Sequence, residues 1–349
     1  MAVYYLTIFS FLGLGMLYER WAIDNDSTKN NVLVILSLFL LILVYGFRYE
    51  VGEDWFSYIN VYNRSVVDIW EFDTIELGYK YVNVFASLTT DAIWTVILIC
   101  TTLFFIFTFV PLIKNNLNPY YFFAMVAPYH LVMSGVNFTR QAVALSIFLL
   151  AFSYILNGSK KKFSFFLVIA SSFHVSAICF FPLYCVDWKK RYLGFAALSP
   201  LPLIYYLVTN DYEQYVNSEV ENAGFLLRSL YLLAPAFFTW TYYMAAKYKE
   251  NYFNVIETRL VYMSVLCFPL LIFVSLISTT MADRFSYYFI LSSTFTWFFI
   301  CKKVPYSLAF KVFSNVLIFL SSFLAFIVWC LFSSYAESYS FDSYLMYWF

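Results

Sequence analysis

Apolar runs recur along the chain from one end to the other, separated by short polar connections. They fall near residues 2 to 18, 32 to 47, 92 to 113, 119 to 136, 140 to 157, 193 to 209, 225 to 246, 260 to 279, 285 to 301 and 312 to 332. Runs of about 17 to 25 residues match a helix crossing the hydrocarbon core, because 1.5 Å per residue must span about 30 Å. A further apolar piece, 163 to 186, is unusual, and no soluble domain fits between the runs. The pattern predicts an all-α polytopic integral membrane protein. Residues 1 to 349 form a single transmembrane domain of roughly 10 to 12 helices. Composition agrees, since 62% of the residues are hydrophobic and only 12% charged, far from a soluble domain. The first run lacks a basic leader and a small-residue cleavage site, so it is expected to be a retained helix.

Charge placement gives the expected orientation. Short loops rich in Lys and Arg stay in the cytoplasm, and four regions are clearly basic: Lys160 to Lys162, Lys189 to Arg191, Lys247 to Arg259, and Lys302 to Lys311. The loop 48 to 91, expected to carry an amphipathic helix, the stretch 210 to 224 and the tail after Phe332 are acidic. Placing the acidic loops outside puts both termini outside. One region breaks the alternation, because two basic loops flank the single run FSFFLVIASSFHVSAICFFPLY. A re-entrant hairpin over 163 to 186, with its tip near Phe173 and His174, repairs it. The competing repair lets that run cross and makes the next one re-entrant at the SPLP break, Ser199 to Pro202. Irregular backbone at membrane depth needs protein or a wet cavity to satisfy it, so either repair implies a polar cavity.

The six cysteines sit in or at the ends of apolar runs without metal-ligand spacing, and read as packing residues. Twenty-one basic residues balance twenty-one acids, which excludes the strongly basic chain of a nucleic-acid binder. With the favoured orientation the outer side keeps few basic residues. Among them Arg48, Arg140 and Arg284 lie at the outer edges of apolar runs. One such Arg is equally well an interface anchor, but a set of them suits a phosphate ligand, which the guanidinium fork holds bidentately. Several Arg residues at a membrane surface suit a lipid diphosphate. The acids Glu53, Asp54 and Glu76, or the imidazole of His174, offer the general base that glycosyl transfer from such a lipid requires. Aromatic residues near Arg48, such as Tyr58, offer faces for sugar rings, and Asn137 and Gln141 offer hydroxyl recognition. His130, two residues after Pro128, reads as a group satisfying a bent helix.

These residues fall in a recurring order: GFRYEVGEDWFSYINVY (Gly46 to Tyr62), IELGYKYVN (Ile75 to Asn83), NFTRQAVALSIFLLA (Asn137 to Ala151) and KKKFSFFLVIASSFHVSAICFFP (Lys160 to Pro182). DRFSYYF (Asp283 to Phe289) and FDSY (Phe341 to Tyr344) follow more weakly. The chain thereby resembles the EpsG-like branch of the Wzy bacterial O-antigen and exopolysaccharide polymerases. The resemblance implies a GT-C-like enzyme of the bacterial inner membrane with its site facing the periplasm. Such an enzyme takes a growing glycan from undecaprenyl diphosphate and joins it to the next lipid-linked repeat unit, and a chain-length-regulating co-polymerase is an expected partner. The family's R-x-x-V-G-x-D pattern maps to Arg48 and Asp54, its R-Q pair to Arg140 and Gln141, and its F-H pair to Phe173 and His174. Arg48, Arg140 and Arg284 are then expected on the diphosphate.

The chemistry excludes other classes. No Gly-rich phosphate loop, HExxH or GxSxG is present, against an ATP-driven pump, a zinc protease or an α/β-hydrolase. DND at Asp24 to Asp26 reads as a solvated turn, and neither a metal nor a cofactor is called for. Two rivals share the arginine set: an O-antigen ligase, which needs the same clamp, and a flippase for lipid-linked oligosaccharide. A flippase is expected to show internal repeats, and no matching halves are visible. An acyltransferase built on His174 leaves the arginines unexplained.

Overall fold

The computed structural model describes residues 1–24, 27–67, 76–189, 192, 199, 224–247, 252–276, 278–305 and 307–343. The acidic stretch 210 to 224, apart from Gly224, lies outside them, as does the run 193 to 209 apart from Ser199. Within them the chain forms α1 (Ala2–Ile23), α2 (Ser27–Gly46), α3 (Trp55–Val67), α4 (Leu77–Thr89), α5 (Ile93–Lys114) and α6 (Pro119–Ala127). A π-helix (Pro128–Asn137), α7 (Thr139–Leu156), α8 (Lys160–Phe173) and a 3₁₀ helix (Val175–Cys185) follow. The last third holds α9 (Gly224–Lys247), α10 (Val255–Ser275), α11 (Thr279–Lys303), α12 (Leu308–Phe332) and a 3₁₀ turn (Ser334–Tyr339). These pack as two compact units, one of residues 1–147, 169–175 and 330–349, the other of 148–168 and 176–329.

Six helices, α1, α2, α5, α7, α10 and α12, are long and apolar enough to cross a bilayer. The chain is therefore an all-α polytopic membrane protein. The other expected crossings have a different build. α6 has nine residues and runs straight into the π-helix at Pro128, which has no N–H for the α-helical ladder. α11 has 25 residues but buries Ser286, Ser292, Ser293, Thr294 and Thr296 along its length, so its polar groups face protein. Burial sorts the six spans as well. In α7, 89% of the apolar stretch is buried, against 22% in α1, α2 and α12, which leaves those three to present their apolar faces to lipid.

In the first unit, α1 packs on α6 and α2 on α5. Asn118 begins α6 by accepting from the N–H groups of Tyr120 and Tyr121, with Pro119 at the first helical position, a standard cap. Its Nδ2 also donates to the carbonyl of Gly15 on α1, 2.8 Å away. A Cβ at Gly15 would stand 2.4 Å from the Tyr121 ring, so glycine permits the approach. His130 in the π-helix does not serve the freed backbone as the sequence suggested. Its Nε2 pairs with Thr108 Oγ1 of α5 at 3.0 Å, and that hydroxyl in turn reaches Ser146.

In the second unit, α9, α10 and α11 pack against one another, around Trp297, whose ring meets Tyr242 at 4.8 Å and whose indole N–H donates to Asn315. The loops expected in the cytoplasm gather at one end. Lys160 pairs with Asp187 at 2.5 Å, Arg259 donates to the carbonyls of Val186 and Trp188, and Lys303 pairs with Glu257, which closes a capping box with Asn254.

The Lys160–Asp187 pair ties together the two ends of the segment that α8 and the 3₁₀ helix span. α8 runs out from Lys160 for 14 residues, about 21 Å. The chain breaks at His174, and the 3₁₀ helix returns for 11 residues, about 22 Å at 2.0 Å each. Matched arms bring the two ends back together. The turn between the two arms falls at Phe173 and His174.

Candidate active site

The segment after α2 is built around a buried arginine. Gly46 closes α2 against α5, where a Cβ would lie 2.7 Å from Leu98 Cδ1. Arg48 then turns inward and is 1% exposed. Its Nη1 donates to the carbonyl of Tyr45 (2.8 Å) and to Thr101 Oγ1 (3.0 Å), and its Nη2 to Thr139 Oγ1 (3.1 Å), so one guanidinium ties together α2, α5 and α7. No carboxylate faces it among the described residues. Burial pushes its pKa down to about 10, which still leaves it charged at neutral pH.

The loop that follows is pinned on two sides. The tail after α12 returns to it: Tyr49 N–H donates to the carbonyl of Asp342, Gly52 N–H to that of Ser338, and Ser343 Oγ to that of Phe47. On its other side Asp54 N–H donates to Asn137 Oδ1 at 3.0 Å. Gly52 has φ +98°, and a Cβ there would stand 2.9 Å from that same Oδ1. The G of V-G-x-D is thus required by both backbone and neighbour. Asn137, expected to read a sugar hydroxyl, spends its side-chain carbonyl on the loop. Past this anchor Glu53 is exposed and Asp54 half-buried. Partial burial, with the adjacent Asp54 charge, raises the Glu53 carboxyl above the ordinary range.

Helix α3 buries Trp55, Tyr58, Tyr62 and Ser65, a spacing of three and four that makes one stripe. The amphipathic helix expected in this loop is therefore present. Tyr58 faces inward, its ring 5.8 Å from that of Tyr79 on α4.

Glu76 stands at the N-cap of α4 but caps nothing there with its side chain. Instead Oε2 accepts from Arg140 Nη1 at 2.9 Å, and Oε1 accepts from the N–H of Val175 at 3.1 Å. Gly78 makes this reach possible, because its Cα lies against the backbone of Ser172. Arg140, in the first turn of α7, keeps its side chain 30% exposed, while Glu76 is only 11% exposed. The guanidinium also lies 5.8 Å from the centroid of the Tyr79 ring. His174, half-buried, immediately precedes Val175 at the hairpin tip.

Arg48, Glu53, Asp54, Tyr58, Glu76, Asn137, Arg140, Gln141 and His174 thus all belong to the first unit, whereas Arg284 lies half-buried in α11 of the second. Gln141 is 1% exposed and points into the packed interior. An EpsG-family model matches residues 31–347, a range that takes in every one of these residues and the returning tail. The chain belongs to the EpsG family. No curated protein and no solved structure matches it.

For this EpsG-family chain the sequence patterns and the geometry coincide at Arg48, Gly52, Glu76 and Arg140. Three partners carried no such signal when read alone. Thr101 and Thr139 hold Arg48, and Thr139 is the T of NFTRQ. Tyr79, the Y of IELGYKYVN, stands beside Arg140. The tail motif FDSY also has a task, since Asp342 and Ser343 close the loop that contains Arg48.

Proposed function

We propose that this chain is a polysaccharide polymerase of the bacterial cytoplasmic membrane. It transfers a growing glycan from undecaprenyl diphosphate to the non-reducing end of a lipid-linked repeat unit on the periplasmic face. The observation that carries this reading is the Arg140–Glu76 pair, a partly exposed guanidinium held by a carboxylate that also accepts from the N–H of Val175, the residue after His174. In the reaction the acceptor hydroxyl attacks the anomeric carbon of the donor, the bond from that carbon to the diphosphate oxygen breaks, and the hydroxyl proton passes to a base. The lipid diphosphate leaves with the electron pair. Its added charge needs preorganised donors, which Arg140 supplies at the surface and Arg48 from beneath, with Arg284 as a further candidate.

The acids divide by surroundings. Glu76 is committed to Arg140 and to Val175 N–H, so its role is to position the guanidinium. Glu53 is exposed, and its raised pKa makes it the stronger base of the loop pair. A base acts deprotonated, so activity should fall as pH drops through the Glu53 value, and that fall should begin above the usual carboxylate range. In an assay with purified protein and lipid-linked repeat, Asp54→Asn should move the acidic limb to lower pH, because a like charge has been removed. Glu53→Gln should abolish that limb along with most activity. A limb unchanged in both variants would hand the role to His174.

The deciding genetic test is the surface glycan of a deletion strain. A single repeat unit without the long ladder is the expected outcome. Loss of all surface glycan would favour the flippase or the ligase.

A further inference from the structure

Among the buried polar atoms of the first unit that lack a hydrogen-bond partner, three gather around one charge. They are Nε of Arg48 and the hydroxyls of Tyr79 and Tyr4. Both phenols lie within electrostatic reach of Arg48. A buried guanidinium facing no carboxylate lacks the counter-charge that a buried charge normally finds, and its Nε and the two phenols lack acceptors. An anionic oxygen would supply both at once.

Tyr79 is placed to address such an oxygen. Its side chain is fully buried. Its ring lies against the guanidinium of Arg140 on one side and the ring of Tyr58 on another. Its hydroxyl feels the charge of both Arg140 and Arg48. Burial holds the phenol protonated well above its ordinary range, so it acts as a donor and never as a competing anion. Tyr79 therefore lies beside the partly exposed arginine and within electrostatic reach of the enclosed one.

Resting on the diphosphate reading above, we infer that Tyr79 contacts the substrate: its hydroxyl donates a hydrogen bond to the diphosphate between the two arginines. Arg140 then takes the outer phosphate and Arg48 the inner one. A site with two charges and a central donor selects a diphosphate over a monophosphate, whether the diphosphate belongs to a lipid or is free in solution.

The test uses purified full-length protein in lipid nanodiscs, with undecaprenyl diphosphate, undecaprenyl monophosphate and inorganic pyrophosphate as probes. Tyr79→Phe removes only the hydroxyl and keeps the ring against Arg140. It should weaken diphosphate binding about ten- to a hundredfold, the effect of one hydrogen bond to a charged group. Its ligand-free melting temperature should be unchanged or higher, because an unsatisfied buried hydroxyl has gone. Monophosphate binding, weaker at the outset, should change little. A loss with the lipid probe alone would assign the site to the lipid-linked donor, and a loss with pyrophosphate as well would assign it to the diphosphate group itself.

Unchanged diphosphate affinity in Tyr79→Phe would overturn the inference, and so would an equal loss for monophosphate. Arg140→Ala on the same probes separates the two levels. If Arg140→Ala loses binding and Tyr79→Phe does not, the diphosphate site stands and Tyr79 has no part in it. If neither variant loses binding, the diphosphate reading fails as well. Should Tyr79→Phe not fold, fluorotyrosine placed at position 79, a stronger donor of the same shape, should tighten diphosphate binding, and no change there would equally overturn the inference.

Discussion

Arg140→Ala, expressed at the level of the wild type in a deletion strain, should leave a single repeat unit on the surface glycan and no ladder above it. The expected loss of rate is on the order of a hundred- to a thousandfold, the scale seen when one preorganised donor to a developing anion is removed. Three features justify so large an effect. The guanidinium is held at 2.9 Å by a carboxylate that is itself tied to the N–H of Val175. It lies beside the Tyr79 ring, and it is still 30% exposed, so a ligand can approach it. Arg140→Lys should recover little, because an ammonium is a point charge that cannot keep Glu76 and a phosphate in one plane. Glu76→Gln should cost less than Arg140→Ala, since it loosens the guanidinium without removing it. A normal ladder in Arg140→Ala would return this residue to the role of an interface anchor.

Gly78→Ala should be nearly as damaging although it touches no charged group. A Cβ at this position would lie 2.6 Å from Ser172 Oγ and 2.7 Å from the Ser172 carbonyl oxygen. The hydroxyl could swing away, but the carbonyl belongs to the last turn of α8 and cannot. The first turn of α4 must therefore lift from the hairpin tip, which draws Glu76 away from Val175 and, with it, Arg140. Overpacking of this kind costs about 1–3 kcal/mol. The fold should survive with a lowered melting temperature, while polymer length falls sharply. Gly13→Ala serves as the control, because nothing stands within 4 Å of the Cβ it would add. A full ladder in Gly78→Ala would show that the α4 contact with the hairpin tip is dispensable.

Much of this was legible in the residues alone. Apolar run lengths set the helical membrane class, and loop charges favoured a hairpin near Phe173 over a full crossing, in the segment whose two ends the Lys160–Asp187 pair joins. The candidate residues before position 175 fall in one unit because each lies at the end of a helix or in the connection beside it. What the sequence hid was the direction of side chains. Nothing in FRYEVG says that Arg48 faces inward, because the partners that draw it there, Thr101 and Thr139, sit 53 and 91 residues away. Glu76 carried no sign of being committed to Arg140, since that pairing depends on the glycine beside Ser172. The run 285 to 301 read as one more crossing, and only packing shows the polar residues of α11 turned toward protein.

The returning tail bears on how the protein is made. Phe341 sits edge-on to both Tyr4 and Tyr45, 6.0 and 5.7 Å between centroids, so the tail packs on α1 and α2 where the loop of Arg48 is closed. A nascent chain can insert its early helices long before that closure is possible. The loop acquires its final hydrogen bonds only when the last residues have left the ribosome and reached the same side of the membrane. Premature termination would then yield an inserted but inert protein, and a bulky fusion at the carboxyl end should interfere more than one placed in a basic loop.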